Sequence, residues 1–199
     1  MKIDKIKHIY SDFVETYDKD LKKDMKYTAY LRVARNVINV LKTRHARVLD
    51  LGCGTGLSSL LFLKKGHEVT GIDATRAMIE RARRLPYKKL ICQNLEAPLR
   101  VKDNSFDAVV MIGVMEYIND PKSLFEEVRS KLDEGGVFGL TVPKKTKWYS
   151  DAGLRSYYKK EMEPIFLKSG FKIITCEEFL GTEEDGVQVY YWNYLLRKA

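Results

Sequence analysis

Three glycines at alternate positions, closing a short apolar run, constrain this chain more than any other feature. The stretch reads Val48-Leu49-Asp50-Leu51-Gly52-Cys53-Gly54-Thr55-Gly56. Its apolar residues predict a buried strand, and a helical segment follows over 58–65. Glycine turns sharply at little steric cost and lets a ligand approach the backbone. The helix start offers N–H groups just beyond the strand's carboxyl end. Strand, tight turn and helix in that order form the first ligand-binding unit of an open α/β sheet. A dinucleotide fingerprint would need a third glycine at position 57, where the chain has Leu57. The spacing is instead Asp-x-Gly-x-Gly-x-Gly. An acid beside the turn suits a ligand carrying an ammonium group better than a pyrophosphate.

The rest of the chain continues the alternation. Strands are predicted over 67–73, 89–93, 106–113 and 137–142. Helices run from an N-cap at Thr75 to Arg84, stopped by Pro86, and over 121–132 with Pro121 in the first turn. Repeated β-α units give a parallel sheet with right-handed crossovers. Past Pro143 the pattern changes to a basic loop over 144–148, a helix over 151–169 and two strands over 171–179 and 187–196. The short acidic loop between those strands makes them antiparallel. Ahead of the first strand, Ile3, Ile6, Ile9 or Tyr10, Phe13 or Val14, and Tyr17 fall at helical spacing. Residues 18–26 read as a polar connection or frayed turn. A second helix carries Tyr27, Tyr30, Leu31, Ala34, Ile38 and Leu41 on one face. The expectation is an α/β fold of seven strands in one domain, 1–199, with a helical cap over 1–43 and a Rossmann-like core over 44–199.

Composition narrows the class. A length of 199 residues supports one full core, and no stretch approaches the ~20 apolar residues of a membrane span. The N-terminus has no signal-peptide core, which points to a cytoplasmic protein. Cys53, Cys92 and Cys176 form neither a disulfide framework nor a metal pair, and read as small buried apolar residues rather than nucleophiles. His8, His45 and His67 have no ligand spacing, so no metal is expected. The net charge of +8 is concentrated in the first 47 residues, where twelve Lys and Arg face six Asp and Glu. That segment would attract an anionic substrate or nucleic acid, or is simply a solvated helix face with interleaved charges. The second reading is preferred.

The glycine motif, with acids placed downstream, resembles the first motif of the class I S-adenosylmethionine-dependent methyltransferases. The resemblance implies a Rossmann-like, mostly parallel sheet in the order 3-2-1-4-5-7-6, with strand 7 antiparallel and helices on both faces. It implies S-adenosyl-L-methionine as cofactor and S-adenosyl-L-homocysteine as product. Asp50 and the Gly52 carbonyl would hold the methionine ammonium, in a turn completed by Cys53 and Gly54. Asp73, 17 residues beyond Gly56, would accept the two ribose hydroxyls with Ala74 beside it; otherwise it is a turn residue. Asn94 stands where such families usually place Asp. Its amide oxygen can still meet the adenine amino group, with the Leu95 N–H on a ring nitrogen, unless Asn94 is a surface turn residue. The strand-end backbone near Ile112 would touch the cofactor. Tyr10 and Tyr17 would close over the sulfonium, or are core contacts. Arg32 or Arg35 would neutralise the methionine carboxylate.

No catalytic triad is needed, since the sulfonium is already activated and alignment suffices. On the acceptor side the candidates are Glu116 and Tyr117. Tyr117 stands where the small-molecule branch often has His, and at neutral pH it is no base without a lowered pKa. Glu116 either faces the acceptor or is solvated at a helix start. Tyr17-Asp18, Tyr27, Asn94 to Leu99, Gly113 to Tyr117 and the closing Tyr-Leu-Leu-Arg-Lys together resemble the Williams–Beuren-region methyltransferase-like proteins. More broadly they are similar to small-molecule methyltransferases of the ubiquinone-biosynthesis type. The implied function is methyl transfer to O, N or C of a small-molecule acceptor, since the insert over 143–170 is too short for a recognition domain. One alternative is an RNA or protein methyltransferase using the basic N-terminal segment. Against it, Ile112-Gly113-Val114-Met115 replaces the Asn/Asp-Pro-Pro-aromatic signature of amino-methylating nucleic-acid enzymes. A non-catalytic cofactor-binding partner domain is a third reading, and a nicotinamide dehydrogenase a fourth. Neither the acceptor's identity nor the oligomeric state is legible.

Overall fold

The computed structural model describes residues 3–21, 27–184 and 187–199. Seven strands form one sheet: β1 Arg47–Leu51, β2 Glu68–Asp73, β3 Lys89–Cys92, β4 Phe106–Met111, β5 Leu132–Pro143, β6 Phe171–Glu184 and β7 Val187–Lys198. Their order is β3-β2-β1-β4-β5-β7-β6, as expected. The first five strands pair in parallel, whereas β7 runs antiparallel to both β5 and β6. Strand β1 lies between β2 and β4, and Leu51 registers with Ile72 on one side and Met111 on the other. The chain order reverses there, so the carboxyl ends of β1, β2 and β4 open a crevice.

Period-2 alternation divides the apolar residues between the two faces. Leu49 and Leu51 join Phe125, Phe138, Phe166, Phe171 and Tyr194 in one core. Val48, Val69, Ala108 and Val110 join Val33, Val37 and Phe62 in the other. The first core is covered by helices α6 (Pro121–Lys131) and α8 (Lys159–Lys168), the second by α3 (Ala29–Val40) and α4 (Leu60–Lys64). Helix α3 sits close because β5 has no side chain beneath it at Gly139. A β-carbon there would meet Val37 Cγ2 at 2.5 Å. Pro121 opens α6 at a position that needs no N–H, and the Asp120 carboxylate caps it by accepting from Ser123 N–H at 3.1 Å.

Several boundaries differ from the sequence expectation. The amphipathic N-terminal helix is α1, Ile3–Phe13, followed by a turn and the three-residue α2, Tyr17–Lys19. Of the 18–26 connection, residues 22–26 lie outside the described residues. Helix α4 begins only at Leu60, because the Ser58 and Ser59 hydroxyls are drawn to Asp50 instead of a helix start. Helix α5, Arg76–Ala82, starts after Thr75, whose side chain makes no capping hydrogen bond and whose backbone N–H is drawn to Asp73. The loop and helix expected over 144–169 are α7 (Lys147–Asp151) and α8 separated by 152–158. Gly153, at φ +71°, ends α7. The following chain is tied back to the sheet and to the turn after β4: Arg155 N–H donates to Glu116 O, and Tyr157 N–H to Pro143 O. Strand β6 continues to Glu184, shortening the expected acidic loop. Among the described residues no helix is long and apolar enough to cross a membrane.

Candidate functional site

The glycine turn leaves β1 with all three glycines at positive φ: +73° at Gly52, +52° at Gly54 and +100° at Gly56. Gly52 has no room for a side chain, since a β-carbon would meet Val114 Cγ2 at 2.3 Å. Four amides of the turn are engaged within the protein. Gly52 and Cys53 N–H donate to Ile72 O at 2.7 and 3.0 Å, Gly54 N–H to Asp73 Oδ2 at 2.9 Å, and Gly56 N–H to Cys53 O at 2.9 Å. These four amides are therefore not free to cradle a phosphate. The turn's surroundings suit a ligand without one.

A cavity of about 760 Å³ opens over this turn. Of the residues singled out from the sequence, Tyr10, Tyr17, Gly52, Gly54, Asp73, Ala74, Asn94, Leu95, Ile112 and Tyr117 all line it. They come from α1, α2, the three strand ends and the turn after β4. Asp73 ends β2 with both carboxylate oxygens already accepting, from Gly54 N–H and, at 2.8 Å, from Thr75 N–H. It is thus a turn residue as well, and a carboxylate's remaining lone pairs leave it acceptor capacity on the cavity wall. Burial raises its pKa while the two backbone donors oppose the rise. Asn94 Oδ1 accepts from Glu96 N–H at 3.2 Å, which holds the loop after β3 in a local turn with Asn94 still on the cavity wall.

Two expected members stand elsewhere. Asp50 is fully buried beneath the turn and does not line the cavity. Its Oδ2 accepts from Ser58 and Ser59 hydroxyls at 2.5 and 2.6 Å. Burial pushes its pKa up to about 6 against those two hydrogen bonds. The reason is strand alternation, which turns Asp50 to the face of Val48, where α4 begins. Cys53 is also buried, its Sγ packed where a β-carbon on Gly71 would meet it at 2.8 Å. Nor do Arg32 and Arg35 reach the cavity: both are exposed, and the Arg32 guanidinium lies 5.5 Å from the centre of the Phe179 ring.

A second cavity, of about 1130 Å³, adjoins the first. Tyr10, Tyr17, Ile112, Gly113 and Tyr117 line both. Tyr27, Trp148, Tyr149 and Tyr191 make its far walls. Glu116 lines it too. It sits in the 3-10 turn Met115–Tyr117 and is 6% exposed, so it is not a solvated helix-start residue. Tyr10 and Tyr117 hydroxyls hydrogen-bond at 2.8 Å across the junction. Burial first, then the neighbouring Glu116 charge, raises the Tyr117 pKa, so it is a neutral phenol at physiological pH.

Helix α1 is latched over this junction by contacts near its end. Arg81 pairs with Glu15 at 2.7 Å, and Thr55 Oγ1 donates to Asp18 at 2.5 Å. Wall residues that sequence reasoning missed include Ile3, Ile6, Met78 and Val114. Ile3 and Ile6 were visible as an apolar helix stripe, but nothing in the stripe said what it faces.

Comparison with known proteins fits this geometry. The family model described as a methyltransferase domain matches residues 49–140, from the glycine turn to β5. A ubiquinone biosynthesis O-methyltransferase of Histophilus somni is 30% identical over 168 residues, covering 76% of this chain and 71% of that protein. The chain belongs to the class I S-adenosylmethionine-dependent methyltransferases, in the ubiquinone-type branch. It is an S-adenosylmethionine-dependent enzyme, and that compound is its cofactor. An uncharacterised protein of Methanocaldococcus jannaschii is 27% identical over 197 residues, with 90% of this chain and 89% of that one covered. In fold, the methyltransferase is similar to the 1,6-didemethyltoxoflavin-N1-methyltransferase of Burkholderia thailandensis, whose structure holds bound 1,6-didemethyltoxoflavin and S-adenosylhomocysteine. The TM-score is 0.71 at 19% identity, with 96% of this chain and 87% of that one covered.

Proposed function

We propose that the enzyme methylates a small-molecule acceptor at O, N or C, with the cofactor in the first cavity and the acceptor in the second. The observation that carries this is the shared wall: five residues, Tyr10 and Tyr117 among them, line both cavities, so the two ligands would meet at one narrow junction. The residues present fit the cofactor. Asp73 offers paired carboxylate oxygens for the ribose hydroxyls. Asn94 and Leu95 sit at the adenine end, and Gly52, Gly54, Ala74 and Ile112 allow close backbone approach. Tyr10 and Tyr17 present rings 5.8 Å apart to a cationic sulfur. Asp50 and Cys53 act from beneath, holding the turn in shape, so the methionine ammonium is left to the turn's carbonyls.

When bound, S-adenosylmethionine would supply an activated methyl group: the acceptor's electron pair bonds to it as the carbon–sulfur bond breaks, and that bond's pair returns to sulfur. An O–H or N–H acceptor then loses its proton to solvent with product release. The chain's part is to align the acceptor and keep water out. Tyr117 shapes the junction, and Glu116 faces the acceptor. We read 1–199 as one methyltransferase domain, because α1 and α2 supply walls that the core alone lacks. The ubiquinone O-methyltransferase relatives and the toxoflavin N-methyltransferase likeness favour a compact acceptor over a macromolecule. The test is a methyl-transfer assay with labelled cofactor, in which a cell extract is split into small-molecule, RNA and protein fractions. Label in the small-molecule fraction is expected. Label confined to RNA or protein would overturn the reading.

A further inference from the structure

The chain's positive charge is gathered on one surface. Residues 1–24 carry six Lys and Arg against six Asp and Glu, whereas residues 27–67 carry seven Lys and Arg and a single acid, Asp50. Asp50 is buried beneath the glycine turn and offers that surface nothing. Six of the seven cations are exposed: Arg32 and Arg35 on α3, Lys42 and Arg44 on the connection to β1, and Lys64 and Lys65 at the end of α4. Folding brings the three segments together. Helix α3 packs beside α4, and His45 of the connection donates from Nδ1–H to Gly66 O, just past Lys65, at 3.1 Å.

Among the described residues none of the six enters an ion pair, because the acids bordering the surface are matched elsewhere. Glu68, opening β2, pairs with Lys88, Asp107 and Asp133 with Arg47, and Glu134 with Lys198. Like charges held together in this way repel one another and disfavour the compact state. None of the six lines either cavity, so neither the cofactor nor the acceptor accounts for them. The surface also presents no large apolar side chain: the exposed ones among the described residues, Phe13, Tyr158, Leu167, Ile174, Leu180 and Tyr190, all lie outside 27–67. A membrane-surface helix carries such groups, and a single-strand groove carries rings on which bases stack. Cations without either match a regular row of phosphates. A duplex presents one negative charge per about 1.7 Å of axis, and α3 alone is about 18 Å long.

We infer that the α3–α4 surface docks on the phosphate backbone of a nucleic-acid duplex through Arg32, Arg35, Lys42, Arg44, Lys64 and Lys65. Phosphate contacts of this kind hold a protein in place without reading base sequence. The surface lies outside both cavities, so the duplex is a partner that holds the enzyme and not its methyl acceptor.

Fluorescence anisotropy with a labelled DNA duplex of about 20 base pairs tests it. Wild type should bind, and its affinity should fall at least ~100-fold between about 50 and 200 mM salt. The triple variant Arg35→Glu/Lys64→Glu/Lys65→Glu should bind at least ~30-fold more weakly at the lower salt. The same charge change made at exposed sites elsewhere, Lys102→Glu/Lys168→Glu/Lys172→Glu, should cost under ~5-fold, because screening leaves distant charges little effect. Titration of S-adenosylhomocysteine into both variants should stay within ~2-fold of wild type, since the altered residues line neither cavity. Failure of wild type to bind the duplex at the lower salt overturns the inference. So does a loss no greater in the surface variant than in the control. Tighter binding to phosphatidylcholine vesicles holding about 30% phosphatidylserine, at equal phosphate and salt, also overturns it and makes the surface a membrane contact.

Discussion

The two ends of the sheet treat charge in opposite ways. At the amino end, carboxylates are matched with cations. Arg47, opening β1, reaches Asp107 through two hydrogen bonds of 3.1 Å and also pairs with Asp133. Lys131 pairs with Asp103 at 2.6 Å and Glu127 at 2.9 Å, and Lys198 with Glu134 at 2.9 Å. At the carboxyl end, Asp50 and Asp73 are held by hydroxyls and backbone amides, and no described Lys or Arg lines either cavity. The pKa directions follow. Burial alone would raise the Asp107 carboxyl, but hydrogen bonds from Arg47 hold it below the usual range; Asp103 and Glu134 are held low by Lys131 and Lys198. Asp50 and Asp73 are raised, chiefly by burial. One end is arranged for stability. The other keeps negative charge in a dry place, at a cost to stability, where a ligand carrying an ammonium and a sulfonium can use it.

The largest effect that would break this contrast is at the turn. Gly52→Ala forces a side chain into a positive-φ position and against Val114. Strain and overpacking together should cost about 2–6 kcal/mol and abolish cofactor binding. Chemical denaturation and calorimetry would read both; a variant with wild-type affinity would mean the turn is more plastic than described.

Asp50→Asn comes next and sharpens the comparison through its sign. The folded-state pKa of Asp50 is raised to about 6, above the unfolded value of about 3.9. Its contribution is therefore fully present below about pH 4 and lost as pH rises through about 6. Wild type should gain roughly 2–3 kcal/mol relative to Asp50→Asn between pH 7 and pH 4. Asp107→Asn should behave in the opposite sense. Its lowered pKa makes its contribution present at neutral pH and lost in acid, so the variant should be weaker by about 1 kcal/mol at pH 7 and approach wild type as pH falls. Urea denaturation of all three proteins across pH measures both slopes. Slopes of the same sign would erase the distinction between the ends.

Much of the fold is legible in the sequence because strands and helices announce their periods. Val48 to Leu51 is a short apolar run closed by glycines, α6 has its proline and cap, and the closing hairpin has its short polar loop, whereas the strand order is legible only through the family resemblance. Less legible are places where a side chain is drawn into a local competition. The hydroxyls of Ser58 and Ser59 shorten α4, and the segment 152–158 is pulled back onto the turn carrying Glu116. Within the site, Asp73 is readable from its distance to the glycines. The residue type at Asp50 suggests a ligand contact, yet its parity along β1 sends it to the other side of the turn. Tyr27 belongs to a motif only through the family resemblance, and Trp148 and Tyr191 carry none. They lie on α3's approach, on α7 and on β7, and only the folded chain brings them to one wall.

The most direct test of the central claim is calorimetric titration of S-adenosylhomocysteine into wild type and Asp73→Ala. Losing two charge-assisted hydrogen bonds of about 1.5–3 kcal/mol each should weaken binding at least ~100-fold. Tight binding by wild type that collapses in the variant is the result the account predicts. Equal affinity for both proteins would contradict it, because the ribose would then lie away from the end of β2.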